Sequence, residues 1–180
     1  MKLAAAVLAA AVSTGAAADE KLWSLLKSGG QVVLIRHTIT TPGAGDPPGM
    51  KLDDCSTQRN LTDAGRRHAR RIGEEFRARV VPLGRVVSSP WCRCLETARL
   101  AFNREAAVST ALSNLFGRPE NREPQLRELR AMVAAQPTGG NLVLVTHGST
   151  IAALTGISPD TGEMVVLSQG AVAGRLAVRE

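Results

Sequence analysis

The sequence predicts an α/β fold: a three-layer sandwich whose central sheet is mainly parallel, with helices on both faces. Two apolar runs carry the prediction, Gln31-Val32-Val33-Leu34-Ile35 and Asn141-Leu142-Val143-Leu144-Val145-Thr146. They are rich in Val, Leu and Ile with little polar alternation, as strands buried on both faces require. Strand-like runs alternate with helix-like periodicities along the chain, which implies parallel pairing through crossover helices. Both runs also end on a histidine, Arg36-His37 after the first and His147 after the second. In open α/β sheets the carboxyl ends of strands border the crevice where ligands bind.

The elements follow in order. Asp19 can cap a helix over 20–27, in which Leu22, Leu25 and Leu26 share a face, and Ser28-Gly29-Gly30 ends it. The first strand is 31–35. A loop from 37 to 60 holds Pro42, Gly43, Gly45, Pro47, Pro48 and Gly49. Irregular loops of that length are usually functional, and this one starts at His37, so it is expected to wall the pocket. Thr62 caps a long helix to about residue 80. A second strand spans 85–88. Ser89 as cap and Pro90 at the first helical position start a helix to about 102. A third strand spans 107–112, a helix 124–135, and Pro137-Thr138-Gly139-Gly140 breaks the chain before the fourth strand at 141–146. A short helix at 149–154 and a hairpin of 163–167 with 171–178 close the chain.

A chain of 180 residues, 44% hydrophobic, fits one domain with a substantial core. The net charge of +6 lies mostly on the helix after Thr62, where Arg66, Arg67, Arg70 and Arg71 face Glu74 and Glu75 at ion-pair spacing. Docking on anionic lipid or polysaccharide is the lesser reading of that face, and His68 is expected on its solvated surface. Two Trp, three Phe and no Tyr give no platform for stacking bases, so nucleic acid is not an expected partner. At the start, Lys2, the apolar stretch 3–12 and Ala16-Ala17-Ala18 form a signal-peptide pattern with cleavage before Asp19. Residues 1–18 are therefore expected to be removed, leaving 19–180 as one periplasmic or secreted domain. No other stretch is long enough to cross a bilayer.

An oxidising compartment makes one disulfide plausible among Cys55, Cys92 and Cys94. Cys92 and Cys94 diverge at the start of a helix, so Cys55 with one or the other is expected. No metal is expected: the three histidines are far apart, and neither Cys-x-x-Cys nor His-Glu-x-x-His spacing occurs. Asp53-Asp54 resembles a metal-ligand pair only superficially and fits loop capping or pocket lining better.

The chemistry lies in Arg36-His37, Arg93 and His147. An imidazole attacks phosphorus as a neutral nucleophile, and arginine grips phosphoryl oxygens with a planar fork of donors. Four segments extend the pattern: Leu34-Ile35-Arg36-His37-Thr38; Leu61-Thr62-Asp63-Ala64-Gly65-Arg66-Arg67-His68-Ala69; Ser88-Ser89-Pro90-Trp91-Cys92-Arg93-Cys94-Leu95-Glu96-Thr97-Ala98; and Val143-Leu144-Val145-Thr146-His147-Gly148. In that order they resemble the motifs of the histidine phosphatase superfamily, which includes the phosphoglycerate mutases, and suggest an exported bacterial branch of it. The resemblance covers about residues 31–155.

The resemblance implies a phosphoglycerate mutase-like fold and a cofactor-free phosphatase acting on a small phosphorylated substrate. It makes His37 the nucleophile that becomes phosphohistidine, with Arg36, Arg93 and His147 lining the phosphate pocket and Thr38 beside them. Thr38 stands where the family usually has Gly. Where many members carry an acid that protonates the leaving group, this chain has Asn114, and an amide cannot do that work. Candidate replacements are Asp46, Asp53, Asp54 and Glu120. Failing those, the substrate must have a good leaving group, as acyl phosphates, phosphohistidines and pyrophosphates do. Cell-envelope or scavenged phosphates suit an exported enzyme. The rival readings are a catalytically weak phosphate-binding module and a phosphotransferase or mutase.

Overall fold

A computed structural model describes residues 14–135 and 137–179. Six strands form one sheet in the order β3-β2-β4-β1-β5-β6. The central pair is β1 (Val32–Arg36) and β4 (Asn141–Thr146), parallel, with Arg36 opposite Thr146. The sheet continues in parallel through β2 (Leu83–Ser88) to the short edge strand β3 (Ala107–Val108). On the other side β5 (Met164–Ser168) and β6 (Ala171–Leu176) are antiparallel. Gln169 and Gly170, both at positive φ, make the two-residue turn between them.

Alternate residues of the central strands feed two cores, as the two-residue period of a strand demands. Val33, Ile35, Val143 and Val145 pack against α1 (Thr14–Lys27), α2 (Asp63–Ala78) and α3 (Cys92–Phe102). Leu34, Leu142 and Leu144 pack against α4 (Arg122–Ala134) and α5 (Gly148–Thr155). Both faces of the central strands are thus covered, while the edge strand β6 stays largely exposed.

Several local expectations fail for identifiable reasons. α1 begins at Thr14, so Asp19 lies inside the helix and not at its cap. Alanines favour helix strongly, and Ala16-Ala17-Ala18 carry it backwards. The expected leader thus overlaps α1 at 14–18, and residues 1–13 lie outside the described residues. Ser89 does not cap α3: its N–H continues the sheet by donating to the Val145 carbonyl, and the helix starts after Trp91. β3 stops after two residues because a 3-10 turn, Thr110–Leu112, capped by Ser109, turns Ala111 and Leu112 into the core.

His68 is buried, not solvated, and its Nε2 lies 2.8 Å from the Val178 carbonyl. It belongs to the buried stripe of α2 with Gly65, Ala69, Ile72 and Phe76. Of the arginines around it only Arg71 forms the expected pairs, with Glu74 and Glu75; Arg66 turns instead to Asp63 and to Glu96 of α3. Residues 37–60 are largely irregular, with one 3-10 turn at Cys55–Thr57. A disulfide joins Cys55 to Cys92 and pins this loop to the start of α3. Cys94 is free and fully buried, and burial pushes its thiol up to about 12. Among the described residues no helix is long and apolar enough to cross a membrane.

Candidate active site

The carboxyl ends of β1 and β4 deliver Arg36-His37 and His147 side by side, with ring centroids of the two histidines 5.5 Å apart. Gly148 follows His147 because a Cβ there would press on the Arg36 side chain at 3.3 Å. Arg93 arrives from the first turn of α3. Thr97, one turn later, accepts the Thr38 N–H and donates to the Arg93 carbonyl, tying the segment after His37 to that helix. The result is a cleft of about 360 Å³ bordered by Arg36, His37, Arg59, Arg93, Asn114 and His147. A larger groove of about 1020 Å³ runs between α2 and α3, but no histidine, cysteine, serine or threonine lines it.

His37 is buried, and its Nδ1 lies 2.9 Å from the Thr38 carbonyl. A carbonyl only accepts, so Nδ1 carries the proton and Nε2 keeps its lone pair. Burial lowers the His37 pKa to about 3; the Thr38 bond opposes this, and the charges of Arg93, Arg36 and Arg59 add to it. His147 is likewise held well below the usual imidazole range, by burial first and then by His37 and Arg93. Its Nε2 lies 2.8 Å from Ser89 Oγ, and its Nδ1 lies 3.4 Å from Arg93 Nη2.

Three guanidiniums converge here. Arg36 donates through Nη1 to the Pro159 carbonyl at 2.8 Å. Arg93 forms a two-pronged ion pair with Asp46, in which both side chains are almost wholly buried. Arg59 donates through Nη1 to Thr40 Oγ1 and the Gly43 carbonyl. On each of the three the buried Nε has no partner. Buried donors are rarely left so, and three in one cleft mark a place for an anion.

The expected site residues divide clearly. Arg36, His37, Arg93 and His147 are brought together around the cleft. Thr38 is not at its wall: it is fully buried, with its hydroxyl 3.3 Å from that of Thr97. Asp46 comes close, but as the partner of Arg93. Burial alone would raise its pKa, yet the Arg93 contacts and the Trp91 indole N–H overcome this and hold the carboxyl below its usual range. It is an anion, not a proton donor. Asp53, Asp54 and Glu120 are exposed and do not border the cleft. Asp54 instead caps the 3-10 turn through the Ser56 N–H. Asn114 does border it: its Oδ1 accepts from the Phe116 N–H and the Ser149 hydroxyl, leaving its NH₂ for the cleft.

Sequence reasoning missed Arg59 and the pairing of Ser89 with His147. A signal for Arg59 existed: it lies four residues after Cys55, and a bridge to Cys92 places it beside Arg93. Among the described residues no three His, Cys, Asp or Glu side chains cluster as a metal site would need.

The chain's likeness to known proteins agrees with this geometry. No curated protein sequence matches it. Among solved structures, the protein histidine phosphatase SixA complexed with tungstate is 18% identical, covering 82% of this chain and 96% of its own, with a TM-score of 0.59. A phosphoserine phosphatase from Entamoeba histolytica, in complex with 3-phosphoglyceric acid, is 12% identical, covering 83% and 98%, with a TM-score of 0.61. The mycobacterial glucosyl-3-phosphoglycerate phosphatase Rv2419c is 21% identical, covering 77% and 89%, with a TM-score of 0.54. Identities this low speak to fold alone. The sequence itself speaks to family, since residues 32–129 match the histidine phosphatase superfamily (branch 1). With paired strand-end histidines, matching arginines and this sheet order on one scaffold, the chain belongs to the histidine phosphatase superfamily.

Proposed function

We propose that the protein is an exported, metal-independent phosphatase that works through a phosphohistidine on His37. The observation that carries the proposal is the His37 ring, with Nδ1 committed to the Thr38 carbonyl and Nε2 free in a cationic cleft. Its lowered pKa keeps it neutral throughout the working range, so no base is needed to activate it.

In the first step the Nε2 lone pair attacks phosphorus, the N–P bond forms, and the P–O bond to the leaving group breaks. Arg36 and Arg93 neutralise the phosphoryl oxygens as charge shifts between them. Arg93 Nη2 can only donate, so His147 Nδ1 accepts from it, the ring's proton lies on Nε2 toward Ser89 Oγ, and His147 orients Arg93 against the phosphoryl group. In the second step water attacks the phosphohistidine, the N–P bond breaks with its electron pair returning to Nε2, and inorganic phosphate leaves with the proton that the water oxygen sheds.

No acid at the cleft wall can protonate the leaving group, since Asp46 is an ion-paired carboxylate and Asn114 is an amide. The favoured substrates are phosphates whose leaving group departs unprotonated, such as acyl phosphates, pyrophosphates or aryl esters. The same observation supports a second reading, a phosphate-binding module with little turnover. Export rests on the signal-like residues 1–18 and suits the Cys55–Cys92 bridge. Residues 19–180 would then be the mature domain, acting on envelope or scavenged phosphates.

Hydrolysis of an activated aryl phosphate by wild type and His37→Ala tests the proposal. Wild type should turn over and the variant should not. Equal rates in the two remove His37 from the chemistry, and no turnover by wild type with intact phosphate binding favours the binding module.

A further inference from the structure

Arg59 lies outside the four residues whose roles the family motifs suggest, yet its surroundings are those of a ligand-binding group. Its main chain is built into the Arg93 site: its N–H reaches Asp46 Oδ1 at 3.4 Å, and its carbonyl accepts from Arg93 Nη1 at 3.4 Å. Its side chain borders the same cleft as His37. Burial first, and then the charges of Arg93 and Arg36, opposed by Asp46, lower its pKa, and its own charge acts on His37.

A loop staple would explain only part of this. Nη1 does hold the loop, through Thr40 Oγ1 at 2.7 Å and the Gly43 carbonyl at 3.0 Å. The rest of the guanidinium has no such duty, and its buried Nε–H has no acceptor. Asp46 is one carboxylate among three guanidiniums, and both its oxygens are taken by Arg93, so a third arginine here is favoured by a further anion. Arg36 is likewise anchored through Nη1, and Arg93 through both terminal nitrogens, each with Nε unpartnered. Three incomplete guanidiniums match the three non-bridging oxygens of a phosphoryl group, each able to accept more than one donor.

We propose that Arg59 is a third phosphate-binding arginine of this cleft, contacting the transferred phosphoryl group alongside Arg36 and Arg93. The proposal rests on the phosphatase reading and adds to it a contact from the loop. It also accounts for the loop's bracing: Gln58 Oε1 accepts the Cys92 N–H at 3.0 Å, and the Cys55–Cys92 bond lies four residues away. Both hold Arg59 where a flexible loop would let it drift.

Calorimetric titration of the full chain with inorganic phosphate tests it, comparing wild type, Arg59→Ala, Arg59→Lys and Arg130→Ala. Arg130 is exposed on α4, away from the cleft wall, and controls for a general loss of charge. Arg59→Ala should weaken phosphate binding by about 10- to 100-fold, the scale of a lost charge-assisted hydrogen-bonding pair. Arg59→Lys should recover part of it, and Arg130→Ala should change it less than about twofold, as expected for an exposed screened charge. Free guanidinium ion should restore some affinity to Arg59→Ala by occupying the vacated position, which it would not do for a loop that had merely loosened. Arg59→Ala binding phosphate as wild type does, or Arg130→Ala losing as much, overturns the assignment. Wild type that binds no phosphate overturns the phosphatase reading itself.

Discussion

His37 and Asn114 set the behaviour of the site at the scale of single residues. With no acid at the cleft wall, the departing oxygen carries its charge into solvent, so rates should fall steeply as leaving-group pKa rises. A series of aryl and alkyl phosphates run on wild type and Asn114→Asp checks this. The substitution should raise alkyl turnover selectively, and a flat wild-type series would mean that an acid acts after all. Burial of His37 also makes an acid-stability prediction. Its folded pKa, about 3, lies below the unfolded value of 6.5, so the unfolded chain binds more protons between these limits. Stability should therefore fall as pH drops from about 6.5 toward 3. His147, and the depressed carboxyls of Asp46 and Glu163, act in the same direction. Denaturant midpoints measured across this window should decline less steeply in His37→Gln than in wild type. An unchanged slope would show that His37 is not buried neutral.

Two positions on α2 make opposite predictions at the scale of elements. A Cβ on Gly73 would overlap the Ala101 carbonyl of α3, so Gly73→Ala must push apart the helix that carries Arg93. It should cost about 1–3 kcal/mol, typical of overpacking, and weaken phosphate binding with it. At the end of the same helix, Val80 sits at φ 55 and 79% exposed, a β-branched residue in the left-handed closing position that glycine usually takes. Val80→Gly should raise stability by about 0.5–1 kcal/mol, since the αL penalty for an L-residue exceeds the entropy glycine adds. Thermal melts of both variants decide the signs. The helices and strands themselves were legible wherever period and caps agreed, as at β1, β4 and α2 with its Thr62 cap. They were misread where a capping side chain had another partner. Ser89 looks like a helix cap in sequence, but His147, 58 residues away, takes its hydroxyl. His68 was misread although its position on the Gly65-Ala69-Ile72-Phe76 stripe was visible, because its polarity outweighed its period. Gly162, which leaves room for that ring, gives no local sign of doing so.

For the whole molecule, the catalytic frame follows from sheet order while its trimming follows from the loop. The four motif residues were legible because strand ends and a helix start place them whatever the loop does. Arg59 and the Asp46–Arg93 pair were not, because they depend on how residues 37–60 fold back, and the Cys55–Cys92 bond fixes that path. The bond should therefore matter to binding more than to the core. Dithiothreitol, which opens it to two thiols while closing into its own cyclic disulfide, should weaken phosphate binding in wild type. It should weaken binding far less in Arg59→Ala, where the contact is already gone. Equal losses in both would mean that the bond acts on the cleft by another route. Far-UV circular dichroism should stay unchanged on reduction, since the buried residues of both cores lie outside the loop, which adds only the partly buried Met50 to one of them.

The proposed chemistry turns on one atom, Nε2 of His37. Rapid quenching of the enzyme with an activated aryl phosphate, followed by peptide mapping and phosphorus NMR under alkaline conditions, locates the phosphate directly. It should be found on His37, bonded to Nε2, because Nδ1 is held by the Thr38 carbonyl 2.9 Å away. It should be acid-labile, stable in base and absent from His37→Ala. Phosphate on Nδ1, on His147 or on any other side chain, or undiminished turnover by His37→Ala, would contradict the mechanism.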